Sequence, residues 1–229
     1  MNDAPRETVA ARSHAASTTD GVRLAVLISG GGTTLRNLLE RRAAGQFAPT
    51  IALVISSSAT ASGLKFARDA GIESLVISKS KELDTTAYSE AIFGPCRERR
   101  IAWVVMGGFL KHVGIPADFA GRVVNIHPSL IPAFSGQGMY GLKVHQAVLD
   151  YGCTLTGCTV HLVDEQYDRG PILAQRCVPV LAGDDAAALQ RRVFREECRL
   201  YPQVLEQLAR GEMQVVGRRV QVVSAGERA

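Results

Sequence analysis

Apolar and polar positions along the chain follow two rhythms. "VRLAVLIS" (22–29) is an almost unbroken apolar run of strand length. The segment after it, "TTLRNLLERRAAG", puts Leu35, Leu38 and Leu39 at helical spacing and ends at Gly45. A short continuous run predicts a buried strand, and three-and-four spacing predicts an amphipathic helix with a glycine stop. The pair repeats: "TIALVISS" is a second strand, with a helix over 60–70 that ends at Gly71, and "SLVIS" is a third, with a helix over 84–99. "IAWVVMG" and "GRVVNI" are a fourth and a fifth strand. Strands rich in Val, Ile and Leu alternating with helices predict an α/β fold, a Rossmann-like three-layer domain whose mostly parallel sheet is covered on both faces.

From residue 142 the rhythm changes. A helix over 142–151 leads into "TGCTVHLV", a turn-rich "DEQYDRGP" and "ILAQRCVPVL". Two strands joined by a short polar connection predict antiparallel additions at the sheet edge. A long helix over 185–209 carries Leu189, Val193, Leu200, Val204, Leu205 and Leu208 as its apolar stripe. "MQVVGRRVQVV" predicts a terminal hairpin turning at Gly217-Arg218. There are no internal repeats and no linker-like segment between two halves. The expected organisation is a disordered leader over 1–21, one domain over 22–212, and a C-terminal hairpin and tail over 213–229.

Composition narrows the class. The chain has 229 residues, 46% hydrophobic and 21% charged, with a net charge of +4. This mild basicity suits a small anionic ligand. The pairs Arg41-Arg42, Arg99-Arg100, Arg191-Arg192 and Arg218-Arg219 are scattered, so no concentrated nucleic-acid footprint is expected. Five cysteines, an odd number without CxxC spacing, argue against a disulfide framework or a zinc site and for a reducing cytoplasm. No apolar run reaches membrane-spanning length, and the leader lacks the apolar core of a secretory signal.

Chemistry concentrates at three places. The first is Ser29-Gly30-Gly31-Gly32-Thr33-Thr34, between the first strand and its helix. Glycines let backbone N–H groups approach a ligand, and a helix N-terminus adds unpaired donors and the positive end of its dipole. The loop lacks the third glycine of a dinucleotide fingerprint, with Leu35 in its place, and the lysine of a Walker loop. A terminal phosphate therefore fits better than NAD or ATP, against the plain alternative of a tight strand–helix turn.

The second place is "VVNIHPSLIPAFSGQG" (123–138), where a strand finishes on Asn125 and His127. Side chains two apart in a strand project to the same side. Pro128 keeps His127 extended and ends the strand. An amide donor for an oxyanion and an imidazole that titrates near neutrality then stand together at the carboxyl end of a parallel strand, where open α/β sheets bind ligands. The third is "CTVHLVDEQYDRGPI", with His161, Asp164, Glu165 and Asp168. If its strand lies beside "VVNIH", Asp168 reaches His127 and favours the imidazolium. His161 reads as structural or catalytic. A metal site from His127, His161 and Asp168 has no spacing to support it, so no metal is expected.

The motifs "VLISGGGTTL", "GGFL" (107–110), "NIHPSLIPAF" and "TVHLVDEQYDRGPI", in that order, resemble the folate-dependent phosphoribosylglycinamide (GAR) formyltransferases of purine synthesis, over roughly residues 22 to 210. The resemblance implies the formyltransferase fold and transfer of a formyl group from 10-formyltetrahydrofolate, as co-substrate, to the GAR amine. It implies a GAR site at Gly31, Gly32, Thr33, Thr34 and Glu197, and catalysis by Asn125 on the formyl oxygen, His127 as general acid and Asp168 raising the His127 pKa. It implies a folate site of Leu110, Lys111, His112 and Val113 with Asn125, Asp164, Glu165 and Asp168. The implied partners are these small molecules, with no nucleic acid and no membrane, for a cytoplasmic monomer or homodimer.

The chain departs from the family pattern at several points. Thr34 stands where many relatives have Asn. Asp84-Thr85-Thr86 occupies the place of an arginine used near the folate. Phe194 replaces a substrate-binding Lys or Gln, with Arg195 beside it as a possible substitute. Rival readings are formyltetrahydrofolate deformylase, which usually carries an extra N-terminal domain, methionyl-tRNA formyltransferase, which normally adds a C-terminal RNA-binding domain, and a non-catalytic phosphate-binding module.

Overall fold

A computed structural model of the chain describes residues 21–80 and 84–223. The leader, apart from Gly21, and the last six residues of the tail lie outside the described residues. The elements run β1 (Arg23–Ile28), α1 (Thr33–Ala43), β2 (Thr50–Ser56), α2 (Leu64–Asp69), β3 (Ser74–Val76), α3 (Thr85–Glu98), β4 (Trp103–Met106), β5 (Val123–His127), α4 (Leu142–Tyr151), β6 (Leu155–Leu162), β7 (Ile172–Pro179) and α5 (Ala186–Ala209), followed by β8 (Met213–Val216) and β9 (Arg219–Val222). Each expected element is present. The second helix is shorter than its pattern: it begins at Leu64, because Ser58 and Thr60 bond to one another and to nearby backbone. Short hydroxyl side chains that satisfy local backbone in this way compete with the helix.

Seven strands form one sheet in the order β3-β2-β1-β4-β5-β6-β7. The first five are parallel, and β6 alone runs against its neighbours, pairing antiparallel with both β5 and β7. The antiparallel additions expected from the sequence are therefore β6 and β7 at the sheet edge. β8 and β9 form the terminal hairpin, turning at Gly217-Arg218, and β9 lies near β7.

Alternation along β1 divides the core between the sheet's two faces. Leu24, Val26 and Ile28 pack with Leu35 and Leu38 of α1, Val148 of α4 and the α5 stripe. Ala25 and Leu27 pack on the other face with Tyr88, Ile92 and Phe93 of α3. These are the three layers that near-continuous apolar strands require, since neither face can be left to water. Among the described residues no helix is long and apolar enough to cross a membrane.

One buried hydroxyl ties the long helix to the strands that carry the site. Tyr201 of α5 is 1% exposed, and its Oη lies 2.8 Å from the carbonyl of Val124 and 3.2 Å from that of Met106. Tyr201→Phe keeps the ring and removes this donor from two carbonyls. The expected loss is about 1–3 kcal/mol of unfolding free energy, read as a lower urea midpoint at unchanged slope.

Candidate active site

Parallel strands bring the carboxyl ends of β1, β4 and β5 to one edge, where a cleft of about 600 Å³ opens. The loop from Ser29 to Thr34 forms one part of its wall, the segment Met106–Val113 a second, and Asn125 to Pro128 a third. Gly136, Gly138 to Gly141 and His145 close it from the segment before and within α4, and the 163–168 loop and α5 complete it. The three chemical places of the sequence thus meet in one cavity.

The glycine loop is held by a close backbone contact. Gly32 is the α1 N-cap at φ 63°, and a Cβ there would lie 2.6 Å from Gly63 Cα; a Cβ on Gly63 would lie 2.7 Å from Gly32 Cα. No side chain fits between these two segments. The N-terminus of α1 has no side-chain cap and no acid in its first turn, so its donors face the cleft unneutralised. Ser29 Oγ bonds Ser57 Oγ at 2.7 Å and accepts from the Leu110 amide at 2.9 Å, locking the glycine loop to the Met106–Val113 segment.

Asn125 and His127 both face the cleft, as strand alternation requires, and the buried Ile126 joins the apolar core. β6 pairs with β5 so that His161 lies opposite Asn125 and Thr159 opposite His127. Thr159 Oγ1 donates to the Ser129 carbonyl and accepts from the Ile131 amide, which pins the loop after His127. His161 Nδ1 lies 2.8 Å from the Leu162 carbonyl and takes the donor role there. Its Nε2 in the neutral ring is then an acceptor, 3.2 Å from Asn125 Nδ2. One amide N–H of Asn125 is spent on this bond and the other is left for the cleft. His161 is thus structural in its own bonds and sets the orientation of the amide.

An antiparallel β6 carries the chain away from His127, yet Asp168 returns to it. The 163–170 segment folds back and is closed at its neck by the Leu162 amide on the Pro171 carbonyl, 2.9 Å. At Gly170 a Cβ would sit 1.8 Å from the Leu162 carbonyl oxygen, so the neck closes only around glycine. Asp168 itself adopts φ 54°, a left-handed conformation that Asp tolerates better than most side chains. Its Oδ2 lies 3.5 Å from His127 Nδ1 and accepts from the Gly136 amide at 2.9 Å; its Oδ1 lies 3.5 Å from His161 Nε2. His127 Nε2 donates to the Phe134 carbonyl at 2.9 Å. His127 Nδ1 is therefore the nitrogen that exchanges a proton, and 3.5 Å to the carboxylate leaves its hydrogen bond open to a third atom.

Asp168 does act to raise the His127 pKa, but burial of the ring outweighs it, and the imidazole titrates below its ordinary 6.5. For Asp168, burial pushes the carboxyl up, but His161, His127 and the Gly136 amide more than offset it and hold it below the usual range. Glu197, half-buried in the cleft, is pushed by burial up to about 7. His145 is 1% exposed and lowered to about 4, by burial first and then by the charge of His127.

Of the sequence-predicted residues, Gly31, Gly32, Thr33, Thr34, Glu197, Leu110, Lys111, His112, Val113, Asn125, His127, Asp164 and Asp168 all line the cleft. Glu165 does not: its side chain is exposed at the loop tip, and its backbone carbonyl faces His112 Nε2 at 3.5 Å. Arg195 also stands outside the cleft wall, while Gln190, Arg191 and Phe194 stand on it. Helical spacing counted back from Glu197 finds Phe194, Arg191 and Gln190 on one face, a signal the sequence carried. Tyr140 and His145 had no such signal, because the turn before α4 has no fixed geometry in a glycine-rich segment. Among the described residues no group of three or more His, Cys, Asp or Glu side chains is arranged to hold a metal ion.

The family model described as formyl transferase matches residues 22–205. The chloroplastic phosphoribosylglycinamide formyltransferase of Vigna unguiculata is 38% identical over 199 residues, which are 86% of this chain and 63% of that protein. The corresponding protein of Arabidopsis thaliana is 38% identical over 80% of this chain and 64% of its own length. The chain thus spans a little under two thirds of these curated relatives. The crystal structure of glycinamide ribonucleotide transformylase 1 from Symbiobacterium toebii superposes with a TM-score of 0.82 at 36% identity, over 90% of this chain and 95% of that one.

The His145 shift has a measurable consequence. In the unfolded chain this ring takes up a proton near pH 6.5, and in the folded chain only near pH 4. Folding stability is therefore fully present above pH 6.5 and declines as pH falls toward 4, by about 3 kcal/mol for a difference of this size. Urea unfolding between pH 7 and 4 should show the decline, and His145→Gln should flatten it. The same slope in both proteins would assign the decline to other groups.

Proposed function

The chain belongs to the formyl transferase family, and on that premise we propose that it transfers the formyl group of 10-formyltetrahydrofolate to the amine of 5'-phosphoribosylglycinamide, in purine synthesis. The observation that carries the reading is that an uncapped, glycine-lined helix N-terminus and the Asn125–His127–Asp168 cluster share one cleft. A phosphate-bearing amine and a carbonyl-bearing donor can be held there together.

The chemistry follows from the groups. The phosphate takes the donors of Gly31 to Thr34, and Glu197 takes the ribose or amine end. The amine nitrogen attacks the formyl carbon, and the carbonyl oxygen gathers negative charge. The free N–H of Asn125 stabilises that oxyanion, a contribution of about 3–4 kcal/mol where such a donor is preorganised. The tetrahedral carbon then expels N10 of the folate. His127 Nδ1 protonates the leaving nitrogen, and the proton lost by the attacking amine restores the imidazolium. Asp168 steadies the imidazolium. Burial that lowers the His127 pKa makes its cation a stronger acid, which suits donation to a weakly basic aryl amine.

The folate is proposed to lie along Leu110 to Val113 and the 164–168 loop, with Leu110, Tyr140 and Tyr167 as exposed apolar rim. The unpaired cysteines fit the reducing cytoplasm, and a monomer or homodimer is the proposed state. No side chain here is proposed as a metal ligand.

Purified protein with 10-formyltetrahydrofolate, with and without GAR, tests the reading. Tetrahydrofolate is expected only when GAR is present, and release without GAR indicates a hydrolase instead. His127→Ala and Asp168→Ala should each reduce kcat by about 10²–10⁴-fold, the range of general acid–base catalysis. Near-full turnover in His127→Ala eliminates the proton-transfer scheme. Asp168→Asn removes the carboxylate that raises the His127 pKa, so NMR titration of the His127 ring should move to lower pH.

A further inference from the structure

The Asp168 carboxylate sits on a segment with few anchors. At its start the Val163 amide donates to the Val123 carbonyl, and at its end the Gly170 neck closes on Leu162. Between them the loop meets other parts of the cleft wall at two places. The Glu165 carbonyl and the Tyr167 ring face His112, and Asp168 itself takes the Gly136 amide. Asp168 holds its left-handed φ of 54° in this stretch, a conformation that persists only where the surroundings fix it.

A further contact comes from outside the cleft. A guanidinium N–H of Arg218 donates to the Arg169 carbonyl at 2.6 Å, across 49 positions of sequence. That carbonyl belongs to the residue after Asp168, and its peptide leads into Gly170. Arg218 lies at the tip of the β8–β9 hairpin, no residue of which lines the cleft. The hairpin is itself fastened. Met213, Val215 and Val220 pack against the core on the α5 face, and Arg210 pairs with Glu206 and Glu212 where α5 ends. The Val223 amide closes the hairpin on the Glu212 carbonyl at 2.9 Å. Gly217 supplies the left-handed φ of the turn, 63°, so the turn does not depend on the side chain of Arg218. Its neighbour Arg219 makes no hydrogen bond or ion pair with any described residue. A charged donor forms a stronger bond than a neutral one, and this one is aimed at the peptide beside Asp168.

We propose that Arg218 is a positioning residue for the transfer reaction: through the Arg169 carbonyl, the terminal hairpin holds the 163–170 segment in the shape that keeps Asp168 against His127. The inference rests on the proposed reaction for its kinetic readout, but not for its geometry. β8 and β9 lie beyond residues 22–205, which the family model matches, so this hold on Asp168 comes from outside the matched region. The charges that bear on His127 are those of Asp168, His161 and His145. Removing the positive charge of Arg218 acts by itself to raise the His127 pKa. Loosening Asp168 acts to lower it, because the carboxylate favours the imidazolium. A charge effect and a positioning effect therefore carry opposite signs.

The test uses the full chain with Arg218→Gln, Arg218→Lys and Arg219→Gln, all changes at exposed positions. Arg218→Gln should lower kcat about fivefold, the scale of one exposed hydrogen bond, with KM for both substrates unchanged. NMR titration of the His127 ring, without substrates, should move to lower pH in the same variant. Arg218→Lys keeps a charged donor and should restore most of both effects. Arg219→Gln removes the same charge one position on and should leave both as in the wild type. If Arg218→Gln leaves kcat and the His127 titration unchanged, the proposal is overturned, even where the urea midpoint falls, because the hairpin then serves stability alone. An upward shift of the titration, or an equal effect of Arg219→Gln, overturns it as well. If the wild type transfers no formyl group yet Arg218→Gln alone moves the His127 titration down, the reaction is wrong and the hold on Asp168 stands. If the wild type does transfer it and the titration stays in place, the hold is wrong and the reaction stands.

Discussion

One carboxylate holds the site together. Asp168 accepts from the Gly136 amide and lies at 3.5 Å from both His127 and His161, so three separate segments converge on its two oxygens. A charge this deep in protein is tolerable only where opposing groups surround it. Here they are His161, His127 and the Gly136 amide. The carboxylate steadies one imidazole, stands beside the ring that orients the Asn125 amide, and anchors the glycine segment that covers the cleft. The cost of its burial and the geometry of the site are settled by the same contacts.

The sheet explains how such convergence is reached. Five parallel strands bring loops of one kind to one edge, and β1, β4 and β5 all deliver their carboxyl ends there. The reversed β6 adds a different element. It sets His161 opposite Asn125 by register, and its departing chain must fold back over the sheet to bring Asp168 home. The Gly170 neck, too close for any side chain, makes that return possible. His127 and Asp168 are thus 41 positions apart in sequence but one antiparallel pairing apart in space.

Much of this was legible in the chain. Strand and helix periods locate every strand and α-helix, and strand alternation puts Asn125 and His127 on one side. The motif that carried Asp168 was visible, but the sign of the balance at His127 was not. A pKa depends on how much water the fold removes from the ring, and Asp168 alone does not tell that. The placement of Glu165 was not legible for a related reason: in a turn, one residue faces the cleft and its neighbour faces water, and turn geometry leaves no periodic trace. Arg195 and Arg191 differ by just over one helical turn, and choosing between them required counting from Glu197 along the face of α5.

The contact between Gly32 and Gly63 has a consequence for how this molecule can vary. Each backbone occupies the volume that a side chain on the other would need, and the two belong to different loops 31 positions apart. Neither position can acquire even a methyl group while the other stays where it is, and Gly32 is further restricted by its left-handed conformation. Stepwise change is therefore closed at both positions at once. This corner of the cleft can be altered only by moving a whole loop, so the glycine loop should drift more slowly than the residues around it that merely line the same cavity.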